Sequence, residues 1–425
     1  MKQILAVLLV ITVVSACSKV APPTTASASA YAQATATPDM AAWEIGERYC
    51  DFSARAYHAA YSMNDRLYVV AGRGTSGSLS DVWWTIDCEN WVSSTAKAEF
   101  APRDSFASAV FNKKMWVIGG ANKTVVFSDS YGSADGITWT MSPSGFGARA
   151  GLGAAVLKDV LYVSAGTNGK KTMSDVWSSK DGGSWTKLKD DDSKGFPPRT
   201  GHGMLSFAGK LWIIGGKSGE NYLSDVWSSV DGIDWKIATI NAGFTPRADF
   251  AAMTYKDRMW VLGGFGPKGT TPQAVPKNSP QSTTQTASQS VPQGVTQTAS
   301  QNVPQGVTQA ALQSTPQGVT LAALQSVPQG VSQSALQSAA QGVTQTASQS
   351  APLGTTRSAL QVFIPSVPGN EVWWSVNGYY WVSSTANAEF GQRSAFTAVE
   401  YKDKIYITGG VSPDNKYKRD IWASQ

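Results

Sequence analysis

An arginine recurs along this chain at positions 55, 103, 149, 199, 247 and 393, and each time it opens the same cassette. Arg199 shows the order: an alternating apolar stretch, then Leu211–Ile214, the pair Gly215–Gly216, the triplet Asp225-Val226-Trp227, the turn Asp231-Gly232 and a lone Trp235. The first four steps between arginines are 48, 46, 50 and 48 residues, and the last gap is lengthened by an insertion. A period this long cannot be one helix or one hairpin. Each cassette must be a supersecondary unit that buries its apolar face against the next.

Each unit holds four strand-length pieces, a to d. In the second copy they fall near Phe106–Phe111, Met115–Ile118, Asp129–Tyr131 and Trp139. Val, Ile, Trp, Tyr and Phe fill them, with Gly, Asn, Asp and Lys between. The c–d turns read Asp135-Gly136, Asp181-Gly182, Asp231-Gly232 and Asn377-Gly378, pairs that accept the positive φ of a tight hairpin. Four short strands per repeat, six times over, predict an all-β, six-bladed β-propeller. The sixth copy stops at Gln425 before any strand d. Trp43 precedes Arg55 by the same interval that separates Trp235 from Arg247, so an N-terminal strand is expected to close the last blade.

The arginine before strand a, the Gly pair after strand b and the spaced Trp of strand d together resemble the kelch repeat. The resemblance covers nearly all of 41–270 and 369–425, the two parts of the propeller. Between them, 271–368 carries a 12-residue unit such as Val303-Pro-Gln-Gly306, with no acidic residue. Its composition predicts disorder, a small repetitive solenoid being the alternative. Gly263-Gly264 precedes it and Glu371-Val372-Trp373 follows, so it is read as an insertion in the b–c loop of blade five.

Residues 1–16 have a positive start and an apolar run, Ile4–Val14, too short to span a bilayer. The sequence Val14-Ser15-Ala16-Cys17 resembles a bacterial lipoprotein signal, which implies lipidation at Cys17 and a membrane anchor; an ordinary signal peptide is the alternative. Residues 17–40 then read as a flexible tether. The expected localisation is the bacterial cell envelope, with outer-membrane sorting implied by Ser18. The tether should enter the ring on the face of the a–b and c–d loops. The arginines and the insertion share the other face.

The formal net charge of +5 is small for 425 residues and forms no basic stripe, so nucleic acid is excluded as a partner. No cofactor and no metal site is implied, since two His and two unmodified Cys make a poor ligand set. Cys50 and Cys88 fall on loops of opposite faces, which argues against a disulfide.

The candidate ligand-binding residues are Arg55, Arg103, Arg149, Arg199, Arg247 and Arg393, which could ring the channel mouth and grip carboxylates in a bidentate manner. The competing reading is structural: each binds loop carbonyls or a neighbouring blade's carboxylate. His58 and His202 stand three residues after Arg55 and Arg199 and are candidates to flank a ligand, or else pack beside the Gly pair. Trp84 and Trp374 lie out of register and are candidates for sugar stacking. No catalytic signature is present. The expected function is that of a monomeric binding or interaction module for a protein, acidic or carbohydrate ligand at the channel mouth. The alternative, from resemblance to the exported kelch N-acetylneuraminate epimerases, is a sialic-acid mutarotase or epimerase.

Overall fold

In the computed structural model of the protein, residues 42–143, 145–191, 194–267 and 366–425 are described. They form six four-stranded antiparallel sheets, with no helix among the described residues. The signal, Cys17, the tether and the body of the insertion lie outside the described residues.

Blade one is Ala59–Met63, Arg66–Gly74, Gly77–Thr85 and Val92–Thr95. Blade two is Ala107–Phe111, Lys114–Ile118, Asp129–Ser133 and Thr140–Pro143; blade three is Gly153–Leu157, Val160–Thr167, Thr172–Ser179 and Trp185–Lys189. Blade four is Gly203–Phe207, Lys210–Ser218, Asn221–Ser229 and Lys236–Thr239. Blade five is Ala251–Tyr255, Arg258–Pro267, Ser366–Ser375 and Val382–Thr385. Its strand c begins at Ser366, within the stretch assigned to the insertion from sequence, and Ser366 pairs with Pro267. Blade six is Thr397–Tyr401, Lys404–Thr408, Ile421–Ser424 and, as its outer strand, Trp43–Glu47, which runs antiparallel to Ile421–Ser424.

The six strands a touch one another in a closed ring, blade one meeting both two and six. The buried apolar residues fall into six clusters, one per seam between neighbouring blades. Each seam has the same aromatic contact. The Phe three residues before each repeat Arg meets a strand-d Trp edge to face: Phe52–Trp91, Phe100–Trp139, Phe146–Trp185, Phe196–Trp235, Phe244–Trp381 and Phe390–Trp43. Centroids are 4.8–5.5 Å apart, the geometry that ring quadrupoles favour, worth about 0.5–1.5 kcal/mol per pair beyond burial.

The Gly pair has a definite task. Its second member has φ between 93° and 100° in all six blades. Its N–H donates to the carbonyl of the next blade's repeat Arg at 2.8–3.1 Å, as in Gly216 to Arg247. A Cβ on Gly216 would sit 2.7 Å from the His202 Cβ. Only glycine allows this backbone and this approach. Ala71 and Ala165 replace only the first member, where φ of 54° and 56° is tolerated.

Candidate functional site at the mouth of the ring

The d–a and b–c loops share one face, and all six repeat arginines lie there. They do not offer free guanidiniums. Each is only 0–3% exposed. Each donates from Nη1 to the carbonyl sixteen residues on, which is the first member of its own blade's Gly pair, at 2.6–3.1 Å. Five then chelate the acid of their own Asp-x-Trp or Asp-x-Tyr motif: Asp81, Asp129, Asp175, Asp225 and Asp420. Arg247 pairs instead with Glu371. Four of the acids also accept the indole N–H two residues on, from Trp83, Trp177, Trp227 and Trp422. Each Arg also lies over the Phe three residues before it. The arrangement has the features of the structural alternative, except that the acid comes from the arginine's own blade and not from a neighbour: it is a rivet inside each blade.

His58 and His202 are buried at 8% exposure each. Each packs against the second member of its own blade's Gly pair, Gly72 or Gly216. Burial, with Arg55 or Arg199 alongside, pushes each imidazole down to about 3. His202 Nε2 meets the Ser164 hydroxyl at 2.9 Å. Trp374 is buried under Arg258 and Trp84 lies beneath Arg66. Cys50 and Cys88 are both free and buried.

What the loops build at the mouth is a closed belt of backbone. The second residue after each repeat Arg donates its N–H to the carbonyl of its counterpart in the preceding blade. Ser105 donates to Tyr57, Gly151 to Ser105, Gly201 to Gly151, Asp249 to Gly201, Ala395 to Asp249 and Tyr57 to Ala395, at 2.7–3.2 Å. All six have φ between 52° and 63°. The left-handed conformation lets each N–H and C=O meet its neighbours in the belt, so the ring satisfies its own backbone groups.

Above this belt stand the residues that follow each Gly pair: Arg73, Ala121, Thr167, Lys217, Phe265 and Val411. Each pairs by backbone with the residue just after its blade's repeat Arg. At these two levels the blades differ from one another, and here chemistry collects. Arg73 chelates the buried Asp104 at 3.0 and 2.7 Å, Ser78 adds a hydrogen bond to Asp104, and the Arg73 guanidinium lies 5.7 Å from the Tyr57 ring centre. The Tyr57 phenol, on the loop of blade one, faces the Asp249 carboxylate of blade five. Burial, only partly offset by Tyr57 and Lys217, pushes that carboxyl up to about 6. The Asp249 charge and burial push the Tyr57 phenol well above its usual range, so it stays protonated. Lys217 pairs with Glu220 at 3.1 Å.

Tyr57, Arg73, Asp104, Lys217 and Asp249 were not among the residues singled out from sequence. Their only signal is departure from the repeat, at positions where the other blades carry small or apolar residues. Among the described residues no three His, Cys, Asp or Glu side chains gather as a metal-binding set.

No curated protein matches this chain. Residues 153–277, which take in blades three and four and the first two strands of blade five, match the model of the DUF6242 beta propeller domain. The chain is a six-bladed β-propeller, similar over that stretch to the DUF6242 beta propeller domain.

Proposed function

We propose that this propeller, of the kelch type and anchored in the cell envelope through Cys17, is a binding or interaction module whose ligand sits on the belt at the mouth. The observation that carries this reading is the local break in repetition. The Arg–acid–Trp rivet recurs almost unchanged from blade to blade, whereas the belt and the level above it collect Tyr57, Arg73, Asp104, Lys217 and Asp249. The fold does not need those five side chains, since other blades hold the same backbone without them. The ligand contacts are therefore assigned to them rather than to the six repeat arginines.

The test is a thermal-shift and calorimetric screen of the full-length protein against sialic acids, uronic acids, acidic peptides and organic amines. Hits are repeated on Tyr57→Phe, Arg73→Ala and Asp249→Asn. Loss of a hit in these variants, with folding intact, supports the mouth. Hits untouched by all three would move the site elsewhere.

A second reading is favoured by one feature. Asp249, with its carboxyl up at about 6, and the protonated Tyr57 form an acid–base pair at the throat, which suits proton transfer to and from a sugar. Mutarotation of free sugars, lost in both Asp249→Asn and Tyr57→Phe, would favour it over binding alone.

A further inference from the structure

We propose that the floor of the mouth binds an organic primary ammonium group, taken by the Asp249 carboxylate between the Tyr57 phenol and the Tyr222–Phe265 ring pair. The inference rests on the mouth being the ligand-binding face and names the chemistry of what enters it.

Asp249 is the only acidic side chain among the six belt residues. Its backbone is fixed on both sides, the N–H to Gly201 and the carbonyl to Ala395. Its Oδ1 lies 2.5 Å from where a Cβ of Gly201 would stand, so the glycine in blade four makes room for it. The charges nearby are already matched. Arg73 is held by Asp104 through both nitrogens. Lys217 is drawn to Glu220 and lies 5.4 Å from the Tyr222 ring centre. Among the described residues, Asp249 makes no salt bridge. Two groups face it: Tyr57, from the loop before strand a of blade one, and Lys217, from strand b of blade four. The first brings no positive charge, and the second has its ammonium paired with Glu220.

A half-buried carboxylate that makes no salt bridge has already lost part of its hydration. An incoming cation restores what was lost. A neutral hydroxyl returns a hydrogen bond but no charge, and an acidic ligand is repelled. The wall adds to this preference. Phe265 is paired by backbone with Ala248, the residue before Asp249. Its ring and that of Tyr222 lie 6.1 Å apart, and aromatic faces attract a desolvated cation. An ammonium fits better than a guanidinium, because the Tyr57 phenol beside the carboxylate crowds the two-pronged grip that a guanidinium needs. The same chemistry is offered by a free amine and by a lysine side chain of a protein.

Isothermal titration of the full-length protein at pH 7.5 tests this with three probes: n-butylammonium, Nα-acetyl-lysine amide, and acetyl-norleucine amide as the uncharged match. Both ammonium probes should bind, and the norleucine probe should be at least about tenfold weaker. Affinity should fall about tenfold per pH unit below about 6, where Asp249 becomes protonated while the probes stay charged. Asp249→Asn should lose binding with an unchanged circular dichroism spectrum. Should that variant misfold, Lys217→Met serves instead: removing the neighbouring cation should tighten binding. Tighter binding of the lysine probe than of butylammonium supports a protein partner, and equal binding supports a free amine. Equal binding of the norleucine probe, no binding of either ammonium, or affinity flat from pH 7.5 to 5 overturns the proposal. If acids or sugars bind through the mouth residues while the ammonium probes do not, the ammonium assignment fails and the mouth stands. If no ligand responds to the mouth variants, both fall.

Discussion

The Arg199 guanidinium holds the two oxygens of Asp225 at 2.8 Å each, and Asp225 in turn accepts the Trp227 indole N–H at 2.7 Å. Arg199 also satisfies the Gly215 carbonyl, which sits in the left-handed bulge within strand b. One side chain thus ties the loop before strand a to strands b and c. Removing it strands a carboxylate that is largely out of water. Arg199→Met should cost about 3–5 kcal/mol, the usual penalty for breaking a buried pair. Denaturant unfolding measures it. The double change Arg199→Met with Asp225→Leu should recover part of the loss, because no charge is then left unpaired. A neutral single variant would contradict the rivet.

The two histidines make stability depend on pH. Each imidazole titrates near 3 in the fold against about 6.5 when unfolded. A depressed folded value means that the stabilisation is complete above about 6.5 and is lost as pH falls towards 3. At pH 5 the loss is roughly 2 kcal/mol per histidine. Asp249, raised to about 6, works in the opposite sense, since its cost disappears as pH falls through that value. Phe already stands at the equivalent position as Phe106, Phe250 and Phe396. The double variant His58→Phe, His202→Phe should therefore fold and should lose much of the drop in Tm between pH 7 and 5. An unchanged drop would place acid sensitivity elsewhere.

The blade framework was legible because each of its parts recurs as a side chain: the arginine, the Gly pair, the Asp-x-Trp. The Phe three residues before each arginine recurs just as strictly, from Phe52 to Phe390, yet its meaning emerges only with the Trp that it meets. The Asp-x-Trp triplet falls on strand c, and spacing alone does not reveal that its acid folds back onto the arginine of the same blade. The belt was not legible for a deeper reason. Tyr57, Ser105, Gly151, Gly201, Asp249 and Ala395 share no side chain, only a backbone conformation. Tyr57 and Asp249 come together because ring closure sets blade one two places from blade five.

The ends of the insertion suggest a clean excision. Pro267 and Ser366 are partners across strands b and c of blade five, so they stand one strand spacing apart. In blade four, Gly219 and Glu220 alone join the equivalent strands at Ser218 and Asn221. Replacing residues 268–365 by Asn-Gly should give a hairpin of the same kind. The shorter loop should raise stability by about 3–4 kcal/mol, from the logarithmic cost of loop closure. Loss of cooperative thermal unfolding would mean that the excised segment supports the blade.

The N-terminal strand is expected to be the clasp of the ring. Trp43 is 4% exposed and meets Phe390 edge to face at 5.1 Å, while its backbone N–H donates to the Glu389 carboxylate. Trp43–Glu47 covers the strand Ile421–Ser424, which would otherwise be the open edge of blade six. Trp43→Ala should cost about 3–5 kcal/mol, as for other buried aromatics. Trp43→Phe should cost less, because a ring remains to meet Phe390. Deleting residues 42–48 has a different consequence, since it bares the hydrogen-bonding groups of Ile421–Ser424 and leaves Phe390 without its partner. An open edge of this kind pairs with other chains, so the truncated protein should dimerise or aggregate in size-exclusion chromatography with light scattering. A truncated protein that stays monomeric, with an unchanged Tm, would show that the ring closes without this strand.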